Sequence, residues 1–111
     1  MAAKYEMKKT KTGFVFNLKA PNGKVILSSE VYKEKRAALG GIASVVKNSP
    51  NEPRYDLRKS KKSEPYFVLT ATNGEVIGKS EMYQSLKGAR NGIASCIKFG
   101  ATARTVDLNP E

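Results

Sequence analysis

Ala20-Pro21-Asn22-Gly23-Lys24-Val25-Ile26-Leu27-Ser28-Ser29-Glu30-Val31-Tyr32 returns 51 residues later as Ala71-Thr72-Asn73-Gly74-Glu75-Val76-Ile77-Gly78-Lys79-Ser80-Glu81-Met82-Tyr83. Carried on without a gap, the alignment of residues 22–57 on 73–108 holds 15 identities in 36 positions. These include Gly41-Ile42-Ala43-Ser44 against Gly92-Ile93-Ala94-Ser95 and Asp56-Leu57 against Asp107-Leu108. Unrelated segments of ordinary composition would share about two, at ~6% per position. The chain is therefore a tandem duplication. Upstream, Phe16/Phe67, Leu18/Leu69 and Ala20/Ala71 extend the match. Tyr5-Glu6-Met7 resembles Tyr55-Asp56-Leu57 at an offset of 50, so one turn differs by a residue. Tyr55-Asp56-Leu57 also resembles Val106-Asp107-Leu108, so one segment closes the first unit and opens the second. We read residues 1–111 as a single domain with repeats at about 4–57 and 55–108.

Outward from the repeated segment, the periodicity assigns the elements. Lys4 to Thr10 and Phe14 to Ala20 alternate as strands, with Phe14, Phe16, Leu18 and Ala20 on one face. Asn-Gly before Val25-Ile26-Leu27 predicts a hairpin of type I′, in which both central residues take positive φ. Lys35 to Asn48 predicts a helix with Ala38, Leu39, Ile42, Val45 and Val46 inward; Ala89, Ile93, Cys96 and Ile97 do the same in the second copy. Ser85 is the expected N-cap there and Gly100 the expected C′ residue, while Glu34 is a weaker cap. Gly41 and Gly92 lie mid-helix, where glycine costs about 1 kcal/mol, and their recurrence points to a close approach of helix to sheet. Arg54 to Ser60 and Thr105 to Leu108 are the remaining strands. One helix per unit covers one sheet face only, leaving Val15, Asn17, Lys19, Tyr66, Val68 and Thr70 to solvent.

Composition narrows the functional classes. A 40% hydrophobic and 27% charged chain is globular, and half of it would bury too little to stand alone. No stretch approaches the ~20 apolar residues of a membrane span, and residues 1–11 lack the apolar core of a signal peptide. The single Cys96 excludes an internal disulfide and fits a reducing compartment, so a cytoplasmic location is expected. There is no histidine, and with one cysteine no structural zinc or iron–sulfur site. We expect no catalytic residues, no cofactor and no metal. The net charge of +10 is the one feature that points to a partner, namely nucleic acid or an anionic surface.

The pattern Ala-x-Asn-Gly-x-Val-Ile-x-x-Ser-Glu-x-Tyr followed by Gly-Ile-Ala-Ser, at residues 20–44 and again at 71–95, resembles the YegP-like family of small proteins. The resemblance covers Tyr5 to Leu108. It implies an α+β fold: two tandem β(3)-α-β repeats share one mainly antiparallel sheet, with two helices on one face, and exchange their C-terminal strands. It implies no catalytic residue, cofactor or substrate, the family's role being unestablished. Single-copy relatives would pair to complete the sheet, so this duplicated chain is expected to be a monomer.

Four sets of residues remain as candidates, each with a plainer reading beside it. Glu30, Tyr32, Glu81 and Tyr83 would form a symmetric pocket; equally, Tyr packs over the helix start and Glu meets a lysine or a helix N-terminus. Lys8, Lys9 and Lys11 on the first hairpin turn, and Arg58, Lys59, Lys61 and Lys62 on its counterpart, would contact phosphates; equally, they confer solubility and protect strand edges. Ser44, Ser95 and Cys96 lack an activating base, and Cys96 aligns with Val45 on the apolar helix face. Gly13-Phe14-Val15-Phe16 weakly resembles an RNA-stacking strand, but the second copy lacks it. The leading expectation is a non-enzymatic domain with an unknown partner. The alternative is weak, sequence-independent nucleic-acid binding through the basic turns and the open sheet face.

Overall fold

The computed structural model describes residues 2–108. Strands β1 (Lys4–Lys9), β2 (Phe14–Lys19) and β3 (Val25–Ser28) lead into helix α1 (Lys35–Asn48). After a 3-10 turn at Glu52–Arg54, β4 (Tyr55–Lys59), β5 (Pro65–Thr70) and β6 (Val76–Lys79) lead into α2 (Leu86–Phe99), and β7 (Arg104–Asp107) ends the described chain. All seven strands form one sheet in the order β4-β5-β6-β3-β2-β1-β7. Only β7 on β1 is a parallel pair. The second repeat thus lends its last strand to the first, but the expected exchange is one-way: β4 pairs only with β5, so Tyr55-Asp56-Leu57 opens the second repeat without closing the first. The halves join at the middle through Ser28 opposite Lys79, about a local twofold axis.

The hairpins form where Asn-Gly predicted them, but not as type I′ turns. Only Gly23 (φ 87°) and Gly74 (φ 88°) take positive φ, while Asn22 and Asn73 do not. Each loop has three residues, with Gly23 N–H donating to Ala20 O and Lys24 N–H to Asn22 Oδ1. A type I turn closed by a left-handed glycine has this shape, and the residue it adds is absorbed by the register shift after Leu18. The β1–β2 turn runs from Thr10 to Gly13, and the β4–β5 turn from Ser60 to Glu64 is one residue longer, with Ser63 at φ 64°.

One core joins both repeats: Tyr5, Met7, Phe16, Leu18, Ile26 and Leu27 from the first sheet half, Phe67 and Leu69 from the second, and Ala38, Ile42, Val45 and Cys96 from the helices. Leu39 was expected in this core, but it is 43% exposed on the helix flank, because the buried stripe runs through Ala38, Gly41, Ile42 and Val45. Ser85 caps α2 by accepting from Gly88 N–H, and Glu34 makes no side-chain cap bond.

Gly100 is not a left-handed C′ residue. Its φ is −61°, and a Cβ there would collide with the Ser49 side chain. Ser49 and Gly100 are the same position of the two repeats, meeting at the twofold axis. Two tyrosines tie the repeats together beside them. Tyr5 Oη donates to Gly100 O at 2.6 Å, and Tyr55 Oη donates to Ser49 O at 2.8 Å. Each opening strand thereby satisfies a carbonyl at the other repeat's helix end.

Candidate binding surfaces

The predicted acid–tyrosine set divides into two places. Tyr32 and Tyr83 lie between sheet and helix, with their rings stacked on Phe16 (6.2 Å) and Phe67 (6.3 Å). Their hydroxyls fill the space that a Cβ at Gly41 or Gly92 would need, which accounts for a glycine in mid-helix in both copies. Burial, and then Glu30 or Glu81, pushes each phenol above its ordinary pKa. Glu30 and Glu81 instead line a groove of about 420 Å³ on the twofold axis, with Ser28, Ser29, Lys79 and Ser80. The repeated serines there have a backbone role: Ser29 Oγ accepts from Phe16 N–H and donates to Glu30 O, and Ser80 does the same for Phe67 and Glu81.

The basic set is symmetric but does not converge. Lys8 and Lys9 belong to β1, and Arg58 and Lys59 to β4; only Lys11, Lys61 and Lys62 lie in the turns. All seven are exposed. Strand directions put the β1–β2 turn and the β4–β5 turn at opposite ends of the sheet, so the two do not grip one phosphate together.

The face of the sheet without helices runs between them. The registers place Lys4, Lys8, Lys19, Arg58, Lys79 and Arg104 on it, with Glu6 and Asp56 opposing within the paired strands and Glu30 and Glu81 bordering the groove beside Lys79. Glu6 and Asp56 are engaged. Glu6 lies 2.7 Å from Lys19 Nζ and 3.1 Å from Lys4 Nζ, contacts that lower its pKa, and Asp56 accepts from Arg58 Nε at 2.9 Å. Lys79 Nζ rests 5.0 Å above the Tyr66 ring, a pairing the sequence reading missed because it depends on strand neighbours. Val68, expected in solvent, is 2% exposed. It lies between Asp56 and Lys79 in register, with a paired strand on each side of it. Phe14 and Phe16 face the helices, so they form no stacking platform for bases.

No catalytic set assembles among the described residues, and no group of three His, Cys, Asp or Glu side chains gathers for a metal. Ser44 and Ser95 are half-buried on the helices. Cys96 is fully enclosed, and burial pushes its thiol to about 11. Burial also raises both neighbouring tyrosines, Tyr5 and Tyr55. No helix among the described residues is long and apolar enough to cross a membrane.

Comparison with known proteins agrees with this architecture. The family described as "Domain of unknown function (DUF1508)" matches twice, at residues 10–56 and 60–107. The UPF0339 protein YegP of Yersinia pestis is 55% identical over 105 residues, covering 94% of each chain. The solution structure of the UPF0339 protein SO3888 of Shewanella oneidensis superposes with a TM-score of 0.90 at 46% identity, over 97% of this chain and 92% of that one. The solution structure of YegP of E. coli, a protein of unknown function, gives 0.92 at 40% identity, over 100% of this chain and 97% of that one. With two repeats of the matching domain and relatives alike along nearly their whole length, the chain belongs to the YegP-like UPF0339 family of tandem DUF1508 proteins.

Proposed function

We propose that this protein is a non-enzymatic, monomeric, cytoplasmic binding domain that engages nucleic-acid backbones weakly and without sequence preference. The observation that carries the reading is the charge of the helix-free sheet face: within the paired strands six basic side chains stand against two acidic ones, both ion-paired, and Glu30 and Glu81 add negative charge only at the axial groove beside Lys79. Lysine and arginine spread over a sheet face meet phosphates rather than base edges. The basic turns extend the same positive surface at its two ends. Two features support the rest of the reading. A single enclosed cysteine suits a reducing compartment, and a covalently attached β7 fills the β1 edge without a second chain.

The test is fluorescence anisotropy with mixed-sequence DNA and RNA over a range of salt. The expected result is binding at low ionic strength that weakens steeply and equally for all sequences. Absence of binding at low ionic strength would overturn the reading and leave the charge as a solubility feature.

A further inference from the structure

The two outer edges of the repeats are not equivalent. On the first repeat, β7 pairs in parallel with β1, Thr105 opposite Tyr5 and Asp107 opposite Met7, and Asp107 is ion-paired with Lys35 at the start of α1. On the second repeat, β4 ends the sheet, and its outer edge bears no strand among the described residues. The consequence is visible residue by residue. Tyr5 and Met7 are 0% and 1% exposed, whereas Tyr55 is only partly buried and Leu57 is 39% exposed. Ile42 is 5% exposed, and its counterpart Ile93 is half-buried. Between α2 and β4, where β7 would lie by symmetry, runs a groove of about 270 Å³ lined by Glu52, Tyr55, Leu57, Arg90 and Ile93.

We propose that the β4 edge is a strand-addition site for an extended, acidic segment of a partner protein, which pairs in parallel with Tyr55–Lys59 as β7 does with Lys4–Met7. The occupied edge supplies the template: same fold, same strand direction, a seat shown to take a strand. The differences between the seats define the occupant. Lys35 is replaced by Leu86, which is 47% exposed, so the residue at the place of Asp107 is aliphatic. Leu39 is replaced by Arg90, and Arg54 and Lys59 flank the strand; these three cations outnumber the one acid of the lining, Glu52, so the remaining positions carry carboxylates. Backbone pairing gives such a segment affinity, and the groove reads its alternate side chains. A second copy fits less well. Each chain has one β7 for two seats, so exchanging it fills one edge by emptying another, and edge-to-edge pairing brings together two molecules of charge +10. The simpler view, that basic residues merely guard an edge, accounts for Arg58 and Lys59 but not for exposed Leu57 in the groove wall or for exposed Leu86 at the start of α2.

The test is an amide-resolved NMR titration of the full chain with two synthetic peptides. One has the sequence of residues 101–108, and the other has the same sequence with Arg104→Glu and Asp107→Leu. The altered peptide should shift amides of Tyr55–Lys59 and of Arg90 to Ile93, leave Lys4–Met7 unmoved, and bind more tightly than the native sequence. In the Leu86→Lys protein, changed at an exposed position, the preference should reverse toward the peptide that retains Asp107. Two results would overturn the proposal: no β4 shifts with either peptide at millimolar concentration, or β4 shifts that depend on protein concentration alone, which would assign the edge to self-pairing. Nucleic-acid binding is read separately, from shifts on the helix-free face, so one reading can fail without the other.

Discussion

Leu27 and Gly78 occupy the same position in the two repeats, and they touch. A Cβ on Gly78 would overlap the Leu27 side chain, which is 0% exposed. At a twofold axis a position meets its own copy, so two large side chains cannot both fit. Ser49 against Gly100 is the second instance. The departures between copies at these two sites are therefore complementary.

This predicts a compensating swap. Gly78→Leu alone should destabilise by overpacking, by about 1–3 kcal/mol. Leu27→Gly alone should leave a cavity and cost about 2–5 kcal/mol. The double variant should be more stable than the additive sum, which chemical denaturation of the four proteins measures as a coupling energy. Additivity would mean that the side chains do not share the axial space.

The same chain predicts an asymmetry between residues that the alignment makes identical. Ile42→Ala should cost about 2–5 kcal/mol, since β7 closes its surroundings. Ile93→Ala, in a half-open groove, should cost clearly less. The repeat alone implies equal losses at the two sites, and equal denaturation midpoints would show that the β4 edge is as well sealed as the β1 edge.

Cys96 predicts an alkaline weakening. Burial raises the thiol from 9.0 to about 11, so between these values the native state keeps a proton that the unfolded chain releases. The unfolded state then binds fewer protons, and stability falls as pH rises through that window. The raised pKa values of Tyr5 and Tyr55 continue the fall above pH 10. Cys96→Val, which copies Val45 of the first repeat, should remove the first part of the slope in denaturation at stepped pH. A thiol reagent at neutral pH should react with the native parent far more slowly than with the denatured chain.

Much of the fold was legible in the sequence because it depends on local periodicity. The alternation of Phe14, Phe16 and Leu18, the Asn-Gly hairpins and the Lys35–Asn48 helix all follow from spacing. What the spacing could not carry depends on strand neighbours. Val68 alternates outward as read, yet it is buried on a strand paired on both sides, between Asp56 and Lys79. Leu57 and Met7 look alike in sequence but differ in exposure, because β7 lies on one edge and not on the other. Gly100 does end α2 as read, but its lack of a side chain makes room for Ser49 and does not serve a left-handed turn. The candidate site was legible as a list of charges but not as a surface. Glu30 parted from Tyr32, and the Lys79–Tyr66 pair emerged only from register.

The last prediction separates the turns from the sheet face in nucleic-acid binding. Neutralising Lys8, Lys9 and Lys11 to glutamine removes charge at one end of the sheet, and neutralising Lys59, Lys61 and Lys62 does so at the other. Lys9 and Lys11 have Lys59 and Lys61 as counterparts, but Lys8 lies on the helix-free face with Arg58 as its counterpart, so both triples should weaken binding and the first somewhat more. A third variant, Arg58→Gln with Lys79→Gln and Arg104→Gln, removes charge from the helix-free face. Three lost phosphate contacts flatten the log–log salt slope on duplex DNA by about 2.7 units, at ~0.9 per contact. The face variant should show the full change, because a backbone lying along the sheet meets all three groups. Each turn triple should show a smaller one, because the ends do not converge and Lys9 points to the helix side. Folding should be almost unaffected, since exposed charges contribute little to it. A turn triple that abolishes binding while the face variant keeps the parent's slope would move the interface from the sheet to that hairpin.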